Sequence, residues 1–190
     1  LADHLVFRKL RARLGGRLEG QQVLEIGCGR GTGTRYLLQR LGARRVTALD
    51  LDPAMVCKAR RRLAPFGAER CEVLEGDATR LKAGDASYDA VVTFAALHHI
   101  PDWQRAVSEV ARVLKPGGQF VFTTPSHHFA EYLFCADFLR GIGLRGLSKR
   151  YENYFNRISH HYRTDSPQVW TARLEQFGFA VRESHSYFSR

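Results

Sequence analysis

The sequence predicts an α/β domain: a doubly wound, mostly parallel sheet with helices on both faces and a helical insert after the fifth strand. Two observations carry this. Short apolar runs rich in β-formers alternate with amphipathic helical patterns from Val23 to Thr124, which is the rhythm of βαβ units with right-handed crossovers. The runs also end in glycines or carboxylates, the positions beyond the carboxyl ends of strands where doubly wound sheets hold ligands.

The elements follow in order. Leu5, Val6, Leu10 and Leu14 recur at helical spacing, so residues 3–14 are expected to form a helix ended by Gly15-Gly16. Val23–Ile26 is a short buried strand entering a glycine cluster. Thr32 is expected to cap a helix carrying Tyr36, Leu37, Leu38 and Leu41 that stops at Gly42. Arg45–Leu49 is the second strand and Pro53–Phe66 the next helix, with proline in its first turn. Cys71–Glu75 and Tyr88–Phe94 are the third and fourth strands. Asp102 caps a helix with core face Trp103, Val107, Val110 and Leu114, broken by Pro116-Gly117-Gly118, and Gln119–Thr124 is the fifth strand. Residues 126–163 depart from the rhythm and are expected to form one or two inserted helices. Ser166-Pro167 opens a helix through Gln176, ended by Gly178, and Phe179–Tyr187 is a final strand.

Composition sets bounds. A chain of 190 residues suits a single domain spanning 1–190 with a real core. Neither a transmembrane run nor a signal peptide is visible, which makes a cytoplasmic location the expectation. Cys28, Cys57, Cys71 and Cys135 form no CxxC pair and no metal-ligand spacing, so free, mostly buried thiols and no metal site are expected. The net charge of +10 admits anionic partners. Its one dense run, Lys58-Ala59-Arg60-Arg61-Arg62, reads as a solvated helix face.

The chemistry lies after the strands. After the first the sequence reads Glu25-Ile26-Gly27-Cys28-Gly29-Arg30-Gly31-Thr32-Gly33. Glycine there lets the backbone turn sharply and approach a bound molecule closely. The spacing is not G-x-G-x-x-G, because Thr32 or Thr34 stands where the third glycine belongs. The second strand ends in Asp50-Leu51-Asp52-Pro53, where a carboxylate can accept two hydrogen bonds from a ribose diol. Asp52 is read as the cap of the following helix. The third strand ends in Glu75-Gly76-Asp77-Ala78.

Together with Tyr88–Ile100 and Arg112-Val113-Leu114-Lys115-Pro116-Gly117-Gly118, these strings closely resemble the class I S-adenosylmethionine-dependent methyltransferases over about residues 20–125. The likeness is to their metal-independent branch, which mostly methylates small molecules. It implies a Rossmann-like fold with S-adenosyl-L-methionine as cofactor. It further implies that Glu25, Gly27, Cys28, Gly29 and Gly31 wrap the amino-acid part of the cofactor. Asp50 would bind the ribose, Asp77 would accept from the adenine amino group, and Ala78 would offer its N–H. Leu51 and Phe94 join the expected cofactor set. Met55 belongs either beside the adenine or in the helix core.

Which acceptor is methylated is left open. His98 is the candidate base, since it falls just past the fourth strand; the alternative is that His98 and His99 tie the loop to the next helix. Phe94-Ala95-Ala96-Leu97 is not the Asn/Asp-Pro-Pro-aromatic motif of base-methylating enzymes, and no strand-end acid awaits a divalent metal. A small-molecule or lipid acceptor is therefore expected and nucleic acid disfavoured. A catalytically inactive cofactor-binding module and an RNA or protein methyltransferase remain as alternatives. The aromatic insert suits either an acceptor lid or a packed helical cap. Its stretch Tyr132–Tyr151, apolar with interleaved Arg140, Arg145, Lys149 and Arg150, also suits an anionic membrane surface. The family sheet normally carries one strand more than this chain supplies, so the chain is expected to be a fragment.

Overall fold

The computed structural model describes residues 14, 16–124, 134–158 and 165–184. The expected helix over residues 3–14 lies almost wholly outside them. The described residues fall into two compact units, 14, 16–97 and 102–123 in the first, and 98–101, 124, 134–158 and 165–184 in the second.

The first unit is a five-stranded parallel sheet in the order β3-β2-β1-β4-β5. Its strands are β1 (Gln22–Ile26), β2 (Arg45–Asp50), β3 (Cys71–Glu75), β4 (Tyr88–Phe94) and β5 (Leu114–Thr123). Its helices are α1 (Thr32–Arg40), α2 (Pro53–Leu63) and α3 (Trp103–Val113). Val23, Leu24, Glu25 and Ile26 of β1 are all buried, as are Val46–Leu49 of β2 and Ala90–Thr93 of β4. A run buried at consecutive positions has both faces covered, as a sheet wound by helices on two sides requires. One cluster joins Leu18, Val23, Leu37, Leu38, Leu41, Val46, Ala90 and Val92; another joins Cys28, Ala48, Ala59 and Leu63. On α3, Trp103, Ala106, Val107, Val110 and Val113 make the buried stripe.

Helix starts follow their caps in two of three cases in this unit. Asp52 accepts from the Ala54 N–H at 2.8 Å to open α2, and Asp102 accepts from the Arg105 N–H at 3.2 Å to open α3. Thr32, expected as a cap, is instead the first residue of α1. Gly31 holds the cap position at φ +79° without a side-chain hydrogen bond, and the Thr32 hydroxyl accepts from Arg62 at 2.6 Å. The regular part of α2 ends at Leu63, and Ala64–Phe66 tightens into a 3₁₀ turn around Pro65.

The largest departure lies at Leu114–Gly118. The sequence predicts a break there, yet β5 starts at Leu114 and runs through Pro116-Gly117-Gly118. An irregularity in the β4–β5 register between Tyr88 and Ala90 absorbs the segment. A Cβ on Gly118 would lie 2.8 Å from the Lys115 carbonyl oxygen and 3.0 Å from that of Asp89, so glycine is what lets the bulge close. Arg112 anchors the loop that enters β4. Its guanidinium holds both Glu109 oxygens at 2.8 Å, Asp85 at 2.7 Å, and the Leu81 and Ala83 carbonyls. The forked Arg112 contact keeps the Glu109 carboxyl below its ordinary range.

The second unit contains α4 (Phe134–Gly141), α5 (Arg145–Ile158) and α6 (Pro167–Glu175). α4 and α5 pack as a hairpin. Gly143 at φ +82° ends the first arm, and the Leu144 N–H donates to the Leu139 carbonyl at 2.8 Å. Ser166 caps α6 through the Val169 N–H. Residues 179–184 have no regular structure, so the described part of the expected strand Phe179–Tyr187 is not a strand; 185–187 lie outside the described residues. The physical reason is pairing: among the described residues β5 has β4 as its sheet neighbour and no further strand joins it.

Of the cysteines, Cys28 is buried, but Cys57 is exposed and Cys71 only half-buried, against the expectation of mostly buried thiols. Cys57 occupies the outer side of α2, beside Lys58, where no core faces it. Cys135 lies where side chains are not described.

Candidate functional site

The sheet order reverses at β1. Connections from β1 run outward through β2 to β3, and the chain then returns to β4 on the other side of β1. The crevice beyond the carboxyl ends of β1 and β4 is therefore the topological switch point. The loops after β1, β2 and β3 and the start of the loop after β4, through Leu97, converge at this end of the sheet and belong to the first unit.

Asp50 ties three of them together. Its Oδ2 accepts from the Gly29 N–H at 2.7 Å and its Oδ1 from the Asp52 N–H at 3.0 Å, while its carbonyl accepts from the Gly76 N–H at 3.0 Å. The Leu49 carbonyl accepts from the N–H groups of Gly27 and Cys28 at 2.8 and 3.0 Å. A charged acceptor holding two loop N–H groups makes strong hydrogen bonds, so the glycine loop is shaped by the end of β2 before any ligand arrives. A carboxylate oxygen has further lone pairs, and both Asp50 oxygens keep acceptor capacity.

The glycines have unlike roles. Gly27, at φ +72°, has no room for a side chain: its Cβ would lie 2.3 Å from the Ala96 Cβ in the loop after β4. Ala95 itself takes φ +54°, and its N–H is held by the carbonyl and hydroxyl oxygens of Thr123 at 3.1 and 2.9 Å. A Cβ on Gly31 would meet Leu63 at 2.8 Å, and one on Gly33 would meet Glu25 Oε1 at 2.2 Å and the Phe94 ring at 2.5 Å. Gly29, at φ +54°, has no heavy atom within 4 Å of its would-be Cβ.

Glu25 is 1% exposed beneath the first turn of α1, where its Oε2 accepts from the Thr34 hydroxyl at 2.5 Å. Among the described residues no cation pairs with it. Burial, tempered by the Thr34 hydrogen bond and reinforced by the nearby Asp50 charge, pushes its carboxyl up to about 8. Burial first, and then the Glu25 and Asp50 charges, also push the Cys28 thiol well above its ordinary range, which makes it a neutral wall residue.

Of the remaining sequence candidates, Leu51, Met55, Asp77, Ala78 and Phe94 fall around the same crevice, and His98 belongs to the second unit. Leu51 is 70% exposed directly after Asp50, and Met55 is half-buried on α2. Asp77 Oδ1 accepts from the Thr79 N–H and hydroxyl at 2.8 and 2.9 Å, a tight turn that leaves Ala78 buried beside it. Phe94 ends β4 with its ring over Gly33. His98 is 1% exposed on the 3₁₀ turn Leu97–His99, its ring centroid 4.0 Å from that of His99. Sequence reasoning misses Thr34, Ala96 and Thr123. Thr34 lies in the motif but carries no signature, and the other two act through contacts no local pattern encodes.

A family model described as "Methyltransferase domain" matches residues 23–118. The phthiotriol/phenolphthiotriol dimycocerosates methyltransferase of Mycobacterium tuberculosis is 36% identical over 145 residues, which cover 66% of this chain and 52% of that protein. The chain thus spans about half the length of the curated relatives it matches. A crystal structure of an S-adenosylmethionine dependent methyltransferase from Mesorhizobium loti aligns with TM-score 0.56 at 30% identity, over 64% of this chain and 54% of that one. The YcgJ protein of Bacillus subtilis aligns with TM-score 0.69 at 25% identity, over 93% of this chain and 69% of that one.

Proposed function

Since the chain belongs to the class I S-adenosylmethionine-dependent methyltransferases, we propose that the crevice at the ends of β1–β4 binds S-adenosylmethionine and delivers its methyl group to a small-molecule or lipid acceptor. The observation that carries this reading is the convergence on Asp50, which presents a carboxylate to the crevice while fixing the glycine loop beside it. The residues fit the cofactor in three respects. Open space stands over Gly29, a buried carboxylate without a cation lies under the loop, and an exposed leucine flanks the ribose acid.

When bound, S-adenosylmethionine supplies a methyl group on a sulfonium, transferred by in-line displacement. The chain supplies position and charge. Asp50 would accept from the ribose hydroxyls, and Glu25 would be the counter-charge for the ammonium of the amino-acid part, with Gly27, Cys28, Gly29 and Gly31 as its walls. Leu51, Met55, Asp77 and Ala78 would bracket the adenine, and Phe94, whose ring lies over Gly33, would line the same pocket. Displacement at a sulfonium releases a neutral thioether, so orientation and exclusion of water can provide much of the acceleration. No base is assigned: His98, the candidate, belongs to the second unit. A lipid-type acceptor is supported by the name of the mycobacterial relative, which spans a longer chain.

Calorimetric titration with S-adenosylmethionine and S-adenosylhomocysteine tests the reading. Asp50→Ala is expected to weaken both by at least about tenfold, or about 1.4 kcal/mol. A folded native chain that binds neither compound, with NADH tested alongside, would overturn it. Transfer of labelled methyl groups into a lipid extract, but not into RNA or protein, is the expected acceptor result.

A further inference from the structure

We propose that the tip of the α4–α5 hairpin is a docking surface for an anionic lipid bilayer. The inference concerns the second unit alone and stands whatever reaction the first carries out. Four large apolar side chains lie exposed within ten residues of the tip: Phe138 (59%), Ile142 (54%), Leu144 (45%) and Leu147 (50%). Leu144, Leu147, Tyr151 and Tyr154 fall at helical spacing on one side of the second arm, and Tyr154 is also exposed. On α3 the same kind of pattern buries its stripe almost completely. On α5 Leu147 and Tyr154 of the stripe are exposed and Tyr151 is half-buried.

Charge identifies the occupant. Residues 138–150 carry Arg140, Arg145, Lys149 and Arg150 and no acidic residue. Arginine and lysine interleaved with exposed leucine, isoleucine and phenylalanine match an interface that is anionic at its headgroups and apolar just below them. A second copy seated on the same patch would set Arg145 and Arg150 against like charges, which opposes association. Gly141, Gly143 and Gly146 leave open space along the turn, so no bulk keeps the backbone of the tip from lying close to a surface. Among the described residues no helix is long and apolar enough to cross a membrane, so the contact is peripheral.

Flotation of the native chain with vesicles tests the proposal. With phosphatidylcholine vesicles containing phosphatidylglycerol the chain is expected to float; with phosphatidylcholine alone it binds far less, and added salt weakens the anionic case. Arg145→Gln with Arg150→Gln is expected to weaken partitioning roughly thirtyfold, from about 1 kcal/mol per basic residue near the surface. Ile142→Asp with Leu147→Asp is expected to abolish it, with far-UV circular dichroism unchanged because both positions are exposed. Ile142→Trp gives a second readout in an otherwise native chain, a blue shift of emission on adding anionic vesicles. The proposal is overturned if the folded native chain stays unbound with anionic vesicles, if the variants float as well as it does, or if Ile142→Trp shows no shift. It is equally overturned if the apolar changes alter only the chain's lipid-free self-association.

Discussion

Replacing Gly27 by alanine is expected to cost about 2–5 kcal/mol of stability, a large share of the roughly 5–15 kcal/mol that holds a domain folded. Two causes add. A left-handed backbone costs an L-residue about 1–2 kcal/mol, and Gly27 stands at φ +72°. The new methyl would also lie 2.3 Å from the Ala96 Cβ, and overpacking of this kind costs about 1–3 kcal/mol. The loop after β4 has little freedom to retreat, because the Ala95 N–H is held by both oxygens of Thr123. Ala96→Gly in the same chain removes the steric part and leaves the backbone part. Urea unfolding of the two single variants and the double variant is therefore expected to show a favourable coupling of about 1–3 kcal/mol. Strict additivity would mean that Ala96 is not the obstacle.

Gly29→Ala is the contrasting case. Its backbone is also left-handed, but no atom stands within 4 Å of the new methyl. The stability loss is expected to stay near the backbone cost of about 1–2 kcal/mol. Binding of S-adenosylmethionine, if it uses that open space, should fall by an order of magnitude or more in the same titration. Unchanged affinity in Gly29→Ala would remove that glycine from the proposed site. The pair thus separates a glycine demanded by the fold from one kept clear for a ligand.

That distinction could not be read from the sequence, where Gly27 and Gly29 look alike. The alternation of apolar runs and helical stripes is a local signal, and it located β1 to β5 and the caps at Asp52, Asp102 and Ser166 to within a residue or so, β5 excepted at its start. Asp50 was visible because the end of a parallel strand is where a polar residue has few reasons to stand other than a ligand or a loop. That it holds the loop as well was not visible, since its partners at Gly29 and Gly76 come from elements distant in sequence. Thr32 misled because a hydroxyl caps a helix only from the non-helical residue before its first turn, and here left-handed Gly31 holds that position while Thr32 is already helical. Pro116-Gly117-Gly118 misled because these residues usually break a helix and stay out of strand interiors, whereas here an irregular register makes room for them in β5. The stripe on α5 reads in sequence like any core-facing helix. Its exposure depends on what packs around it, which periodicity does not encode.

Glu25→Gln is the sharper test of the site, because stability and binding should move in opposite directions. With its carboxyl pushed up to about 8 from an unfolded value of 4.5, the folded chain keeps the proton longer than the unfolded one. Stability from this group is therefore complete below about 4.5, is lost as pH rises toward 8, and levels off above. The glutamine variant has no proton to lose and can still accept from Thr34, so it escapes the loss. At pH 9 it should be the more stable protein by on the order of 5 kcal/mol at most, and thermal or urea unfolding across pH should lose its slope between 4.5 and 8. An ammonium held against Glu25 reverses that preference, since the opposite charge favours the ionised carboxyl. Binding of S-adenosylmethionine to the native chain should then release a proton near neutrality, seen as a buffer-dependent heat, and affinity should rise between about pH 6 and 7.5, below the usual range of an α-ammonium. In Glu25→Gln the proton release should vanish and the affinity should drop. A variant that gains stability yet binds with undiminished affinity and an unchanged buffer heat would make Glu25 a purely structural acid, and the ammonium would have to find its counter-charge elsewhere.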